Sequence, residues 1–563
     1  MDNKTSVNTQ GSRLREGLLP TVFDRLFLTV SNLICAGKEK DGKVMKQLVT
    51  TLECEPLNVG DKDLPEQCDI LLSNTNDQPA EGKFIHKGLI LTTIFLCLSV
   101  AAGSLLWFTE IYDNAILNLV SIRNDIDMVF ESWKAPPTRP LLSVYIFNYT
   151  NHEAVMEGRE YPKVKELGPY VFREKLERVN VTFNDNGTVS YQESRTIVFV
   201  PELSYSSLDK VIRVPNVPLI TFLHKTEELD YLVQKLASVV IVKFDGQPFL
   251  NVTIHDFLWG YEDRFFSLIK TLKNVFDSSD QKPFGFLAKR RGVSPDVITV
   301  NTGYGNLNSI GAITRWNGKS RIGAWGNTSC DDINGRDGSI FPVKRAQRHE
   351  TFHIYSNSMC RTIPLVYSKS TKSKDGFPVF EYEFSRHMFN YSEKFQENMC
   401  YKYQNEFPTD GIFNTAPCND APMYASFPHF LHGSSTLQKN IIGLNPSEEK
   451  HKSYFQINEK LGVPMLVNTR FQLSIMLKKS NFIHHTSSLK EDLILPMGWL
   501  DYNTGNLPPH LVNVVYHLTY TTHIIKELLK WMFLLMALVC TCILCHQMQT
   551  IKNYGYLSKL DWN

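Results

Sequence analysis

Hydrophobic residues in this chain follow three rhythms, and each predicts a different kind of element. The first is an unbroken apolar run. Gly88 to Phe108 reads GLILTTIFLCLSVAAGSLLWF without one charge, and at about 1.5 Å per residue a helix of that length spans roughly 30 Å, the hydrocarbon thickness of a bilayer. A core helix so long would carry a polar stripe, and this run has none. A second run, Trp531 to Ile551, is broken only by His546, Gln547 and Gln549 near its end, where the polar interface of a membrane would lie. Both runs are predicted to be transmembrane helices, here taken as residues 88–108 and 531–551.

The second rhythm has period two. Val179, Val181 and Phe183 alternate with Asn180 and Thr182, Asn186-Gly187 supplies a turn, and Val189 and Tyr191 resume the pattern, which predicts a hairpin with one buried face and Asn180 on the wet one. Phe471, Leu473, Ile475 and Leu477 repeat it far downstream, so sheet is expected along much of the domain. The third rhythm is helical. Leu219, Phe222, Leu223, Leu229, Leu232, Val233, Leu236, Val239 and Val240 suit a helix or helical pair between Leu219 and Phe244, an apolar island in a sheet-rich domain. An α+β class follows. Leu18 to Ile34 has a similar one-sided pattern, which suits a surface helix or a small packing element equally.

Charge and modification signals orient the membrane model. Lys83 and Lys87 precede the first run, whereas Glu110 and Asp113 follow it, and positive flanks stay in the cytosol. Both termini are then cytoplasmic, as tails at 1–87 and 552–563, with 109–530 outside. Asn-X-Ser/Thr sequons at Asn148, Asn180, Asn186, Asn251, Asn327 and Asn390 all fall in that outer interval, and only Asn3 lies elsewhere; they are candidate glycosylation sites. Of 11 cysteines only Cys330, Cys360, Cys400 and Cys418 are in it, so two disulfides are expected, with three possible pairings. Cys35, Cys54 and Cys68 in the N-terminal tail would stay reduced. Cys540, Cys542 and Cys545 at the inner boundary suit palmitoylation or an ordinary helical role. Tyr554-Gly555-Tyr556-Leu557 resembles a tyrosine-based endocytic signal.

The chemistry that is missing narrows the function. A formal charge of +1 and no long basic run argue against nucleic acid. There is no GxSxG, HExxH, Walker or complete GxGxxG pattern, and Gly303-Tyr304-Gly305 lacks its third glycine. Histidines such as His484 and His485 have no evident catalytic partner, and the cysteine spacing lacks the CxxC pairs of a zinc site. Neither an enzyme nor a bound cofactor is expected.

Several stretches carry a specific resemblance. ELGPYVFRE at 166–174, DFLWGYEDRF at 256–265, WGNTSCDDINGRDGSIFP at 325–342, APMYASFPHFL at 421–431 and GLNPSEEKH at 443–451 together resemble the class B scavenger receptor family from about Leu105 to Gln549. The resemblance implies an ectodomain with an antiparallel barrel-like core, a membrane-distal helical crown and an internal apolar tunnel leading toward the bilayer. It implies pairing of Cys330 with Cys400 and of Cys360 with Cys418; the cysteines of a third bridge found in many members are absent here, so the 401–417 loop is expected to differ. A crown lysine that captures anionic lipids in the family falls at Lys243, with Phe222, Leu236 and Val240 as apolar companions for a lipid tail. The implied activity is uptake of hydrophobic ligands such as carotenoids, sterols or fatty acids, from lipoprotein-like carriers into membrane lipid, at a plasma membrane with endosomal cycling. The long N-terminal tail and overall length most resemble an insect carotenoid-uptake member, which would supply visual chromophore. Two other members offer alternatives: a sensory neuron membrane protein-like co-receptor for lipid-derived cues, or a lysosomal trafficking receptor.

Overall fold

The first apolar run folds as one helix, Ala80–Phe108, and the second lies within a longer one, Thr522–Leu560. Here the structure is a computed structural model that describes residues 80–560 apart from 125–126, 228–229, 263–266, 268–283, 420 and 481–485. The Leu18–Ile34 element, the tail cysteines, Asn3, Leu229, His484, His485 and the side chains of Tyr554–Leu557 lie outside the described residues. Met1–Gly88 separates as its own unit, described only where it enters the first helix; Leu89–Asn563 forms the other.

The two long helices pack on each other. Trp107 and Trp531 meet edge to face at 5.8 Å, side chains suited to the membrane–water boundary. Lys530 Nζ lies 5.2 Å from the Trp107 ring, and just outside the apolar runs Lys526 pairs with Asp113 at 2.6 Å. Gln547, one of the polar interruptions noted in the second run, accepts a hydrogen bond from Thr92 Oγ1 of the first helix at 3.1 Å. A polar side chain in a spanning segment is thus satisfied by a neighbouring helix. The second helix overruns the apolar run because helical hydrogen bonding does not stop at the bilayer edge; it is preceded by a short helix, Pro509–Tyr516, and a π-turn, His517–Thr521.

Between the spans the chain forms strands β1 (Leu141–Tyr149), β2 (Val164–Asn184), β3 (Thr188–Phe199), β4 (Val211–Pro215), β5 (Phe249–Thr253), β6 (Gly292–Val293), β7 (Ile298–Asn301), β8 (Ile313–Trp316), β9 (Phe352–Ser356), β10 (Arg361–Lys372), β11 (Pro378–Phe384), β12 (Ile412–Asn414), β13 (Met423–Ser426), β14 (Tyr454–Asn458), β15 (Pro464–Leu477) and β16 (Leu493–Asn503). Apart from the β4–β5 pair they make one antiparallel sheet in the order β8-β7-β3-β2-β1-β16-β15-β14-β11-β10-β9. Its two edges are brought together by the Gly335–Arg336 segment. Ile313 N–H donates to Gly335 O, Arg336 N–H to His353 O and Tyr355 N–H to Arg336 O, at 2.9–3.1 Å. Closure of this kind removes the exposed edges that an open sheet would present. The class is α+β with two transmembrane helices and a barrel-like sheet.

The β2–β3 hairpin pairs Asn184 with Thr188 and Phe183 with Val189, as the alternation predicts. Asn180 is exposed, but it sits in a bulge at φ 53° rather than in regular alternation. The apolar island becomes two helices, Val217–Thr226 and Tyr231–Lys243. Asn216 caps the first by accepting from Leu219 N–H at 3.2 Å. Leu219, Ile220, Leu223 and Ile241 join the largest core cluster together with Ile475, Leu477 and Leu495. The disulfides are Cys330–Cys400 and Cys360–Cys418.

At Gly335 a Cβ would come within 2.7 Å of Tyr355 N, so only glycine permits the closing segment to lie against β9. Gly335→Ala is expected to destabilise the ectodomain by about 1–3 kcal/mol, read as a lower Tm of the purified full-length protein.

Candidate ligand-binding site

Inside the barrel lies a cavity of about 530 Å³, within the usual range of small-ligand pockets. Along β15 the alternate residues Met465, Val467, Thr469 and Phe471 line it, as one face of a strand should. The period-two run noted in the sequence therefore divides: Phe471 faces the cavity, whereas Ile475 and Leu477 are sealed in the core. Phe384 and Phe455 add apolar wall from β11 and β14. The floor comes from elsewhere in the chain. Val120 and Ile122, shortly after the first spanning helix, meet Leu511, Val514, Val515 and Leu518, just before the second. An apolar chamber is thus closed on one side by the segments that join the ectodomain to its membrane helices.

One wall is charged. On β2, Leu176 and Arg178 line the cavity, and Glu174 precedes them on the same strand face; on β3, Glu193 and Arg195 line it. The Glu174 carboxylate is fully buried and takes Arg195 on one side and Arg290 on the other, the latter at 2.7 Å. Arg195 also holds Glu193 at 2.7 Å. Burial works against the Glu193 carboxylate, but the guanidiniums of Arg195 and Arg178 outweigh it and hold its pKa below the ordinary value. Burial, and then the Glu174 charge, push the Tyr502 phenol up to about 12. Asp337 accepts from Ser339 and from Tyr191 Oη at 3.2 Å. Charge is retained in this wall because each carboxylate has a guanidinium or donors beside it.

The residues expected from the resemblance lie on the helices Val217–Thr226 and Tyr231–Lys243, the expected crown, and none of them lines the cavity. Lys243 is the exposed last residue of Tyr231–Lys243; Phe222 and Val240 are half-buried against the main core cluster. Leu236 is 64 % exposed, beside Leu232 at 77 % and Val239 at 63 %. Together these leave an apolar face on the helix that no described side chain covers, an arrangement usually found at binding surfaces. Among the sequon asparagines, Asn180, Asn186, Asn251 and Asn327 are exposed, while Asn148 and Asn390 are half-buried. Cys542 and Cys545 are exposed on the second spanning helix, and Cys540 is buried.

The cavity wall went unseen in the sequence because Arg178 is one charge in REKLER. Its only signal is the period-two placement of Glu174, Leu176 and Arg178. Equally unseen is a buried histidine pair. His429, from APMYASFPHFL, stacks on His451, from GLNPSEEKH, with ring centroids 4.5 Å apart. Asn445 N–H donates to His429 Nδ1 and Ser447 N–H to His451 Nδ1. With its Nδ1 accepting, His429 turns Nε2 to Glu166 at 2.6 Å, and Trp499 Nε1 donates to the same carboxylate at 2.8 Å. Glu166 comes from a third motif, ELGPYVFRE, so three of the stretches that mark the family meet in one polar knot.

Comparison with known proteins agrees with this architecture. The CD36 family model matches residues 91–548. Scavenger receptor class B member 1 of Rattus norvegicus is 30 % identical over 423 residues, covering 75 % of this chain and 81 % of that protein. Lysosome membrane protein 2 of Mus musculus is 29 % identical over 450 residues, covering 77 % and 91 %, and its Homo sapiens counterpart is 28 % identical over 451. The chain belongs to the CD36 family.

Burial, then the neighbouring His429, lowers the His451 pKa to about 4. A histidine whose folded pKa lies below its unfolded value of about 6.5 binds more protons when unfolded. Its contribution to stability is therefore complete above that pH and lost as the pH falls toward 4. His451→Asn keeps an acceptor for Ser447 and removes the titration, so the drop in Tm between about pH 7 and about pH 5 is expected to be smaller than in the unaltered protein.

Proposed function

We propose that this protein is a cell-surface receptor that takes up hydrophobic ligands at its crown and delivers them through the barrel cavity to the membrane. The observation that carries this reading is the cavity floor. Val120, Ile122, Leu511, Val514, Val515 and Leu518 are apolar and belong to the segments adjoining the two spanning helices. A lipid in the chamber is thereby a short, apolar step from the bilayer. Every CH₂ kept from water is worth about 0.8 kcal/mol, so solubility drives transfer and no nucleophile or energy source is required. In this reading both termini are cytoplasmic, the sequons of 109–530 carry glycans, and Cys542 and Cys545 are the acylated cysteines. The exposed Leu232, Leu236 and Val239 receive the tail of a ligand from a lipoprotein-like donor, with Lys243 beside them for an anionic head. The cargo is a carotenoid in the closest reading of the sequence resemblance, with sterols and fatty acids as the other members of the class.

The apolar crown face also favours a second reading, a trafficking receptor that docks a protein there, in keeping with the likeness to Lysosome membrane protein 2. Surface biotinylation separates the two: residence at the plasma membrane supports uptake, and residence confined to lysosomes supports trafficking.

Cells expressing the protein should accumulate labelled carotenoid, sterol or fatty acid several-fold above untransfected cells, and Val467→Trp, which puts a bulky ring into the chamber, should reduce the gain strongly. Lys243→Ala should weaken capture of donor particles with an anionic surface and leave neutral ones unchanged. No accumulation of any of the three ligands, or accumulation untouched by Val467→Trp, would refute the proposal.

A further inference from the structure

Residues 443–447, in the motif GLNPSEEKH, form a loop pinned at both ends. Upstream, Ile442 joins the start of β2: its N–H donates to Pro162 O at 2.8 Å, and its carbonyl accepts from Val164 N–H at 2.9 Å. Downstream, the Ser447 hydroxyl caps the short helix Glu448–His451 by accepting from Lys450 N–H. Along the loop two backbone N–H groups turn inward, and the acceptor of each is an imidazole. Asn445 N–H donates to His429 Nδ1 at 3.1 Å, and Ser447 N–H to His451 Nδ1 at 3.0 Å. Asn445 is exposed, whereas each histidine is only 4 % exposed. A surface loop is thus fastened to a buried pair of titratable rings.

A ring nitrogen that accepts a hydrogen bond carries no proton, so neither imidazole can hold two protons while it holds the loop. Acid competes with the loop for the same lone pairs. The loop is the side that gives way, because the rings are fixed from below. His429 N–H donates to Gln472 Oε1 at 2.7 Å, its ring meets Phe147 edge to face at 5.2 Å, and Trp499 lies 5.3 Å from the His451 ring. The charged surroundings offer the pair little compensation. Glu166 on β2 is the carboxylate in contact, through His429 Nε2. Arg470 on β15 and Asp501 on β16 pair with each other at 3.1 Å, and Lys450 adds a positive charge beside His451 on its own helix. Tyr145 on β1 stacks on Trp499 at 3.9 Å, and burial raises its phenol above the ordinary value. With ring centroids 4.5 Å apart, a second imidazolium would meet a like charge at once.

We propose that residues 443–447 are an acid-released latch: protonation of the His429–His451 pair frees the Asn445 and Ser447 N–H groups, and the loop lifts from the sheet. Leu444 travels with it. That side chain packs against the largest core cluster, to which Leu219, Ile220 and Leu223 of the first crown helix belong. The latch therefore ties the packing under the crown to the acidity of the compartment, as histidine clusters do in proteins that sense pH. It needs no cargo, and so stands apart from the uptake reading.

The test is hydrogen–deuterium exchange of the full-length protein in detergent micelles at about pH 7.5 and about pH 5, corrected for the intrinsic pH dependence of amide exchange. Protection of the 440–452 peptide is expected to fall about tenfold at the lower pH, while that of β1 stays unchanged. Linkage sets the scale: return of the His451 pKa from about 4 to about 6.5 on release favours the open loop by up to about thirtyfold at pH 5. His451→Asn keeps an acceptor for Ser447 N–H and removes one titration, so it should retain protection at pH 7.5 and lose most of the acid response. Equal protection of 440–452 at both pH values, a loss matched by β1, or an undiminished response in a well-protected His451→Asn would overturn the latch. If that variant is unprotected even at pH 7.5, the comparison of the two segments in the unaltered protein decides alone.

Discussion

Closure of the sheet into a barrel around an apolar-walled cavity is the constraint on which the rest of the site depends. The sheet's outer strands, β8 and β9, do not pair with each other. They are joined by one extended segment, Gly335–Arg336, whose backbone bonds to both sides. The same segment sets the interior chemistry. Arg336 is buried and turns its guanidinium onto the Ile310 and Asn308 carbonyls, and its neighbour Asp337 stands in the cavity wall. Closing the sheet and placing the charged wall are therefore one structural event. The floor is chain that adjoins the two spanning helices, so the membrane-proximal segments are part of the cavity as well as links to the anchor.

Within that enclosure polarity is placed strand by strand. β15 presents Met465, Val467 and Phe471 inward, whereas β2 presents Leu176 and Arg178. The chamber therefore has one greasy side and one charge-balanced side. The crown has the opposite character: an apolar face open to water and a lysine at the end of its helix. Crown and chamber are separated by the largest core cluster, to which Leu219, Ile220 and Leu223 belong. On the uptake reading, passage of cargo from one to the other requires side chains of that cluster to move.

What the sequence disclosed, and what it hid, follows from how local each feature is. A spanning helix must meet the bilayer's demand within one continuous run, so Gly88–Phe108 was legible from composition; the longer extent of the second helix was not, because its added turns at 522–530 and 552–560 carry charged and polar residues outside the apolar run. The β2–β3 hairpin and the two crown helices were legible from their periods. β15 was legible as a strand, but a period of two cannot say whether Phe471 faces a cavity or Ile475 a packed core. The chamber was hidden because Val120, Arg178, Met465 and Val515 come together from distant parts of the chain. The disulfide pairing could not be derived from spacing and came only with the family resemblance. His429, Glu166 and His451 were quoted inside family motifs without any sign that they touch; the stacked rings supply a physical reason for those motifs to occur together.

The central claim, that the barrel holds lipid in an apolar chamber floored by the segments next to the spanning helices, is tested most directly by locating a bound lipid. Crystals of the full-length protein grown with a lipid brominated along its tail would show the bromine by its anomalous scattering. The account predicts a peak inside the barrel, among Phe471, Leu511 and Val515. Bromine found only on the outer surfaces of the crown and the spanning helices, with none between β2 and β15, would contradict it.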